Sequence, residues 1–369
     1  MKKIKVGVAG YGVIGQRLAD GVALQEDMEL VGVADIAPTL SIRALKERGV
    51  KEMQRGKRGE SSTQTPTSEC DIPANAVRMP YDLYLVDGAD KESFDALEIP
   101  TKGSFRDLIG KVDVMLDSAP GGIGVKNKAL YEAAGVKAVF QGGEANSVAD
   151  VFFHGCANYE KGLNADYLKL TSCNTTGLIR AVDCLDRAFG VDRVAITIIR
   201  RVADPGDYHR GLTNALQMEK APSHQALDLM TVMPHIDATG ILVHTPVTHG
   251  HIITVLAHGK DGAITKEQAL TAFRSHPRIR VVNMAQGFLG NASFFRYARD
   301  LGNPRGDMYE IGLWEDSVVQ SGDNIMFAIN IPQESVTIPE TIDAVRACMG
   351  LQKDSLSGTS ATNKYLNME

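Results

Sequence analysis

Short apolar runs separated by stretches of helical spacing mark the first part of the chain. Lys5-Val6-Gly7-Val8-Ala9 reads as a strand, 17–23 as a helix, and 29–34 as a second strand ending at Asp35. The alternation returns with a strand over 112–117, a helix over 125–134 and a strand over 136–140. Strands that alternate with helices pair in parallel, which predicts a doubly wound sheet. From Val191 onward the texture changes. Segments 191–202, 240–246, 250–257, 278–284, 317–321 and 324–331 are strand-like with few helices between them, as in an antiparallel sheet. A helix over 338–349 follows, with Pro339 near its start and Gly350 past its end. The predicted architecture is α/β: a Rossmann-type parallel sheet over 1–172, a second α+β domain with a mainly antiparallel sheet over 173–333, and a C-terminal segment over 334–369. Residues 50–80 are rich in Lys, Arg, Ser, Thr and Pro and lack apolar periodicity, so they read as a surface insertion.

The first turn carries chemistry. Between the first strand and helix stands Gly10-Tyr11-Gly12-Val13-Ile14-Gly15. In that setting Gly10 makes the tight turn, Gly12 lets a pyrophosphate approach, and Gly15 packs helix on strand, with the phosphate at the helix N-terminus. Asp35, twenty residues beyond Gly15, is placed to accept hydrogen bonds from the adenosine ribose hydroxyls. A carboxylate there repels the extra phosphate of NADP, so NAD is the preferred cofactor, with Ser41, Arg43 and Lys46 near enough to allow NADP as well. Ser118-Ala119-Pro120 and Gln141-Gly142-Gly143 follow later strands and are candidate cofactor-lining loops.

A second strand-to-helix junction lies at Leu170-Thr171-Ser172-Cys173-Asn174-Thr175-Thr176-Gly177. Apolar residues Leu178, Val182, Leu185 and Phe189 recur at helical spacing after it, and Gly190 ends the run. A cysteine at a helix N-terminus is favoured as thiolate by the peptide dipoles, which makes Cys173 a candidate nucleophile with a depressed pKa. Its partner is sought among nine histidines; in His249-Gly250-His251 either ring of the strand-edge pair can face a pocket. Arg200-Arg201 ends a strand and can hold phosphate or carboxylate bidentately, or form a surface ion pair.

Bulk composition narrows the partners. With 369 residues, 44% of them apolar, and a net charge of -6, the chain has material for two cores and no basic field for nucleic acid or anionic membrane. A small-molecule substrate fits. Five cysteines without a CxxC pair point to neither a disulfide framework nor a zinc site, so no metal is expected, and reduced thiols fit a cytoplasmic location. No targeting segment is read at the N-terminus.

Six blocks together resemble the archaeal-type (type II) phosphorylating glyceraldehyde-3-phosphate dehydrogenases. They are Gly10-Tyr11-Gly12 with Gly15, Gln141-Gly142-Gly143-Glu144, Ser172 to Leu178, Arg200-Arg201 with Ala203-Asp204-Pro205, Pro222-Ser223-His224, and Gln333-Glu334-Ser335. The resemblance implies oxidation of glyceraldehyde 3-phosphate with inorganic phosphate, Cys173 as the acylating nucleophile and His249 as its base. It places Val13, Ile14, Gly143, Arg201 and Gln333 at the cofactor, and Ser172, Asn174, Thr175, Arg200, His224 and Gln225 at the substrate. It also implies a homotetramer and a C-terminal helix returning to the cofactor domain. The sequence departs from that pattern in the 50–80 segment, at Gln225-Ala226 where His-Gly is usual, and at Asp35 where Lys is common. The rival readings are another cysteine-dependent semialdehyde dehydrogenase and a dinucleotide-binding sensor without turnover.

Overall fold

The computed structural model describes residues 2–57, 79–201, 216–247 and 249–368. It divides into two compact units, Met1–Phe140 and Gln141–Glu369. The boundary therefore precedes the expected one at residue 172, and the cysteine junction, its preceding strand and the C-terminal segment all belong to the second unit.

The first unit alternates as its apolar pattern predicts. Strand β1 (Ile4–Ala9) leads to helix α1 (Val13–Ala23), β2 (Met28–Asp35) to α2 (Leu40–Lys57), and β3 (Leu83–Leu85) to α3 (Lys91–Asp95). β4 (Gly103–Ser104), α4 (Phe105–Ile109), β5 (Val114–Asp117), α5 (Gly124–Ala134) and β6 (Lys137–Phe140) complete it. The strands lie in the order β4-β3-β2-β1-β5-β6, parallel throughout, with Val8 beside Val33 on one side and Leu116 on the other. The chain winds outward from β1 in one direction and restarts beside it in the other. The loop after β1 thus opens at the topological switch point, where such sheets bind ligands. The supposed insertion begins as helix, since α2 runs to Lys57; its remainder, 58–78, with Arg58 and Cys70, lies outside the described residues.

In the second unit β7 (Val151–Phe153) and β8 (Tyr167–Leu170) pair in parallel, and α6 (Cys173–Phe189) follows. The strands β9 (Val191–Arg201), β10 (Gln217–Met218), β11 (Asp237–Thr245), β12 (His251–Gly259), β13 (Ile279–Val282), β14 (Ile311–Trp314), β15 (Val319–Ser321) and β16 (Asn324–Ile331) form one sheet in the order β10-β11-β9-β12-β16-β14-β13, with β15 on β16. This sheet is mixed: β9 with β11 and β13 with β14 run parallel, while β9, β12, β16 and β14 are antiparallel neighbours. The parallel pairs need crossovers, and the expectation of few helices fails for that reason. Helix α7 (His224–Val232) crosses from β9 to β11; α8 (Lys266–Ser275) and α9 (Asn291–Asp300) flank β13. The Thr265 and Gln268 capping box at the start of α8 is a signal that apolar periodicity alone passes over.

Alternate residues of β12 and β16 point to opposite faces. On one face Ile253, Val255, Phe327 and Ile329 are buried against Leu178, Val182 and Leu185 of α6. On the other, Ile241, Leu256 and Met326 are about two-fifths exposed (40%, 38% and 45%). Helix α10 (Ile338–Cys348) is buried along its whole length although it carries Glu340, Asp343 and Arg346. These charges are paired: Glu340 takes Arg180 and Arg278, and Asp343 takes Arg278. Burial raises the Glu340 pKa and the two guanidinium groups outweigh it, leaving it at about 2. Helix α10 packs on β8, a segment that the sequence pattern assigned to the first domain and that the fold groups with the C-terminal residues.

Candidate active site

The glycine loop of the first unit is built from steric requirements that differ residue by residue. Gly10 has φ +82°, and a Cβ there would sit 3.0 Å from the Ser118 carbonyl. A Cβ on Gly15 would lie 1.8 Å from the Gly10 oxygen, so both positions must be glycine for the turn to close. A Cβ on Gly12 would meet nothing within 4 Å. Gly12 is also the N-cap of α1, with no side chain capping the helix and no acidic residue in its first turn. An uncapped helix start with open space over Gly12 suits an anionic pyrophosphate. Val13 is 37% exposed at the same corner, and Ile14 is half-buried. Asp35 ends β2 as expected, yet it is only 9% exposed and its oxygens already accept from the Tyr11 N–H (2.8 Å) and the Ile36 N–H (2.7 Å). It therefore ties the glycine loop to β2. Ser118 braces the loop by donating to the Gly10 carbonyl at 2.7 Å. Of the residues considered for NADP, Ser41 Oγ accepts from Gln16 and Lys46 donates to the Leu97 carbonyl, while Arg43 is exposed.

In the second unit α6 starts at Cys173, with Ser172 as N-cap accepting from the Thr175 N–H at 3.4 Å. Two glycines allow the packing around it. A Cβ on Gly142 would lie 3.0 Å from the Ser172 Cα, so the Gln141-Gly142-Gly143 loop rests directly on the cysteine turn; a Cβ on Gly177 would lie 2.2 Å from Ile331 of β16. Cys173 is half-buried at the end of this arrangement, and Asn174 beside it is buried with its Oδ1 lacking a protein partner.

The thiol's partner is His251, not His249. Cys173 Sγ lies 3.8 Å from His251 Nε2. Strand β12 begins at His251, whose side chain is 3% exposed and points to the α6 face. Gly250 has φ +69°, so the chain turns before the strand starts and the same-face rule that linked the two histidines does not extend back to His249. The His249 ring instead packs on Phe295 with centroids 4.7 Å apart, and it lines, with Arg201 and Gln333, a cavity of about 50 Å³.

His251 has a defined tautomer. The Arg201 backbone N–H donates to His251 Nδ1 at 3.1 Å. A backbone N–H can only donate, so Nδ1 presents its lone pair and the ring proton sits on Nε2, directed at the sulfur. Burial, together with the Arg201 and Arg200 charges, keeps the His251 pKa well below the ordinary histidine value, so the ring is neutral. Burial also pushes the Cys173 thiol above its ordinary value; Arg200, Arg201 and the Asn174 N–H pull it down without cancelling that effect. The expected depressed pKa is therefore not what the resting site has, because desolvation of the sulfur exceeds the helix-terminal field.

Around this pair, Arg201 is 7% exposed and lies 3.3 Å from Glu334, whereas Arg200 is more open and lies 3.7 Å from Glu219. His224 opens α7 and is exposed; Gln225 is 1% exposed with Oε1 lacking a protein partner. The loop residues Ala203, Asp204 and Pro205 lie outside the described residues. Asp228 and Lys169 reach the site without any signal in the sequence: Thr175 Oγ1 donates to Asp228 at 3.3 Å, and Lys169 is buried on β8. Among the described residues no cluster of three metal-ligating side chains occurs, and no helix is long and apolar enough to cross a membrane.

A switch-point glycine loop in one unit and a helix-start cysteine facing an imidazole in the other define a two-domain, dinucleotide-dependent oxidoreductase that works through a cysteine. Comparison with known proteins sharpens this. Residues 172–298 match a family model described as the glyceraldehyde 3-phosphate dehydrogenase C-terminal domain. The chain is 37% identical to glyceraldehyde-3-phosphate dehydrogenase 2 of Methanosarcina acetivorans, with 100% of both chains covered. It is 37% identical to the glyceraldehyde-3-phosphate dehydrogenase of Hyperthermus butylicus (100% of this chain, 98% of the relative) and 38% identical to that of Thermococcus sibiricus (99% of each). The chain belongs to the archaeal-type glyceraldehyde-3-phosphate dehydrogenase family.

Proposed function

We infer that the protein oxidises D-glyceraldehyde 3-phosphate with NAD(P)+ and inorganic phosphate to 1,3-bisphosphoglycerate, the step shared by glycolysis and gluconeogenesis. The observation that carries this reading is the 3.8 Å approach of Cys173 Sγ to His251 Nε2 at the start of α6, in a chain alignable end to end with its relatives. As thiolate, Cys173 adds to the aldehyde carbon. The Nε2–H of His251 then donates to the developing alkoxide, as an oxyanion-hole donor does. The bound nicotinamide supplies the hydride acceptor. Loss of hydride leaves a Cys173 thioester, which keeps the carbonyl activated until phosphate displaces the sulfur. Arg200, His224 and Gln225 are the residues proposed for substrate and phosphate, supported by the cationic charge of Arg200 and the buried, unpartnered Gln225 Oε1.

Gly10, Gly12, Val13, Ile14, Gly15 and Asp35 of the first unit are proposed as cofactor residues, as are Gly143, Arg201 and Gln333 of the second. The uncapped α1 start and the open space over Gly12 support the pyrophosphate position. NAD is the preferred form, since the Asp35 carboxylate disfavours a second phosphate. A homotetramer is supported by the exposed apolar face at Ile241, Leu256 and Met326, which a second copy of the chain would cover. The free cysteines Cys156, Cys173, Cys184 and Cys348 support a cytoplasmic location. Reduced-nicotinamide absorbance, followed with glyceraldehyde 3-phosphate, phosphate and each cofactor in turn, tests the reading. A phosphate-dependent rise is expected, larger with NAD; no rise with either cofactor overturns it.

A further inference from the structure

His251 stands at the loosest point of its strand. It is the first residue of β12, and it pairs with Ile331 of β16, whereas pairing with β9 starts one residue later, with Ile252 beside Ile199. The residue before it is Gly250, at φ +69°, and a glycine by itself leaves the chain direction free. Something outside the strand must therefore fix where the imidazole enters the site.

Helix α9 supplies that fixture. Phe294 and Ala298 are buried in an apolar cluster with Val282, Phe288 and Trp314, and a Cβ on Gly312 would lie 2.1 Å from the Phe294 ring, so the helix rests directly on β14. Asn291, Phe295 and Arg299 follow at intervals of four and share another face of the helix. Asn291 Oδ1 accepts from the Ala292 N–H at 3.0 Å, which leaves the amide Nδ2 to donate to the His249 backbone carbonyl. The His249 ring packs on Phe295 at 4.7 Å, and the Arg299 guanidinium lies 4.0 Å from the same ring centre. Gly250 itself is enclosed: a Cβ there would meet Asn330 Oδ1 at 3.3 Å, and the Asn291 Cβ and the Ile331 carbonyl oxygen at 3.4 Å. A cavity of about 50 Å³ is lined by His249, Gly250, Asn291 and Phe295, so the turn is not wedged on every side and these contacts hold it.

We propose that Asn291 is a positioning residue for the reaction: by holding the turn at His249-Gly250 it fixes His251 against the Cys173 sulfur. Asn291 touches neither the thiol nor the imidazole and acts through the chain between them. Once the turn is set, the Arg201 N–H orients the ring through Nδ1 at 3.1 Å, and Nε2 lies 3.8 Å from the sulfur. A shift of the turn by about 1 Å would displace the imidazole from the reacting atoms, an error that can cost about 10²-fold in rate.

This inference rests on His251 being the thiol's partner in the proposed reaction, and a double-mutant cycle with glyceraldehyde 3-phosphate, phosphate and NAD separates the two. Asn291→Asp keeps the side-chain shape and places a carboxylate in the first turn of α9, where the helix dipole favours it, but an ionised carboxylate cannot donate to the His249 carbonyl. Asn291→Ala removes the donor without adding charge. Both variants should lose about tenfold or more in kcat with KM for the aldehyde unchanged, and Asn291→Asp should unfold at the wild-type temperature. In the His251→Asn background either change should cost no more than about twofold further, because the group it positions is gone. Wild-type kcat in both Asn291 variants, or a loss of the same size in both backgrounds, overturns the positioning role and leaves the reaction standing. Near-normal turnover in His251→Asn alone overturns the thiol's assigned partner instead.

Discussion

The molecule contains two strand-to-helix junctions that look alike in the sequence and are finished differently. At the β1–α1 turn the helix start is bare: Gly12 offers no cap and its neighbourhood is open. At the β8–α6 turn Ser172 caps the helix with its own hydroxyl and the glycine loop at 141–143 lies over it. The bare start leaves its N–H groups for a ligand's charge, whereas the capped one gives its Thr175 N–H to Ser172 and presents a side chain, Cys173. In the proposed function one helix N-terminus binds and the other reacts. The difference lies in a single position, a glycine against a serine at the N-cap, and in whether the space above is empty or filled.

The strongest break between the two junctions is removal of the sulfur. Cys173→Ser should cut aldehyde oxidation by about 10⁴-fold or more while the dinucleotide still binds, measured by steady-state rates beside cofactor titration. Near-normal turnover would remove Cys173 from the mechanism. His251→Asn comes next, with a loss of about 10²–10³-fold for an oxyanion donor. His249→Asn should cost less than about tenfold, since its ring packs on Phe295 while the thiol's histidine contact is His251. A larger effect at 249 would restore the histidine that the resemblance implies.

At the bare junction two glycines should separate folding from binding. Gly15→Ala forces a Cβ against the Gly10 carbonyl and should lower stability by about 3 kcal/mol in denaturant titration. Gly12→Ala meets open space, so stability should hold while dinucleotide affinity falls by about tenfold. Equal destabilisation by both would mean that Gly12 is a packing residue. Asp35→Lys should move the ratio of kcat/KM values toward NADP by about tenfold or more. The ratio is the useful quantity because loss of the Tyr11 tie weakens both cofactors alike. An unmoved ratio would confine Asp35 to bracing the loop.

The smallest effect is in acid. All nine histidines lie between His154 and His276, hence in the second unit. Burial lowers the His154 pKa to about 4 and the His276 pKa to about 3, and takes His251 well below its usual value. The folded unit then holds fewer protons than the unfolded chain below the ordinary histidine pKa of about 6.5, so its stability falls as pH drops through that window, by at most about 1.4 kcal/mol per unit per histidine. Hydrogen exchange resolved by peptide should show protection fading toward about pH 4 in the second unit before the first. Parallel loss in both would assign acid sensitivity to carboxylates alone.

Much of this was legible in order along the chain. Alternation and spacing located β1, α1, β5, α5 and α6, and the glycine pattern located the turn that needs φ +82° at Gly10, because each of these depends on neighbours a few residues apart. Cys173 as the first residue of α6 was legible for the same reason. What pairs with it was not. His251 is chosen by a turn at Gly250 and by the register of β12 on β9 and β16, which places Ile252 beside Ile199 and His251 beside Ile331. Its tautomer depends on a backbone N–H fifty residues away, and Asp228 joins Thr175 only because α7 crosses from β9 to β11. The direction of the Cys173 pKa also escaped the sequence: the local helix field is sequence-encoded, but desolvation is a property of everything that packs around the sulfur. Local spacing thus determined the alternating elements of the first unit and the candidate nucleophile, while long-range packing decided its partner, the proton's position and the boundary between the two units.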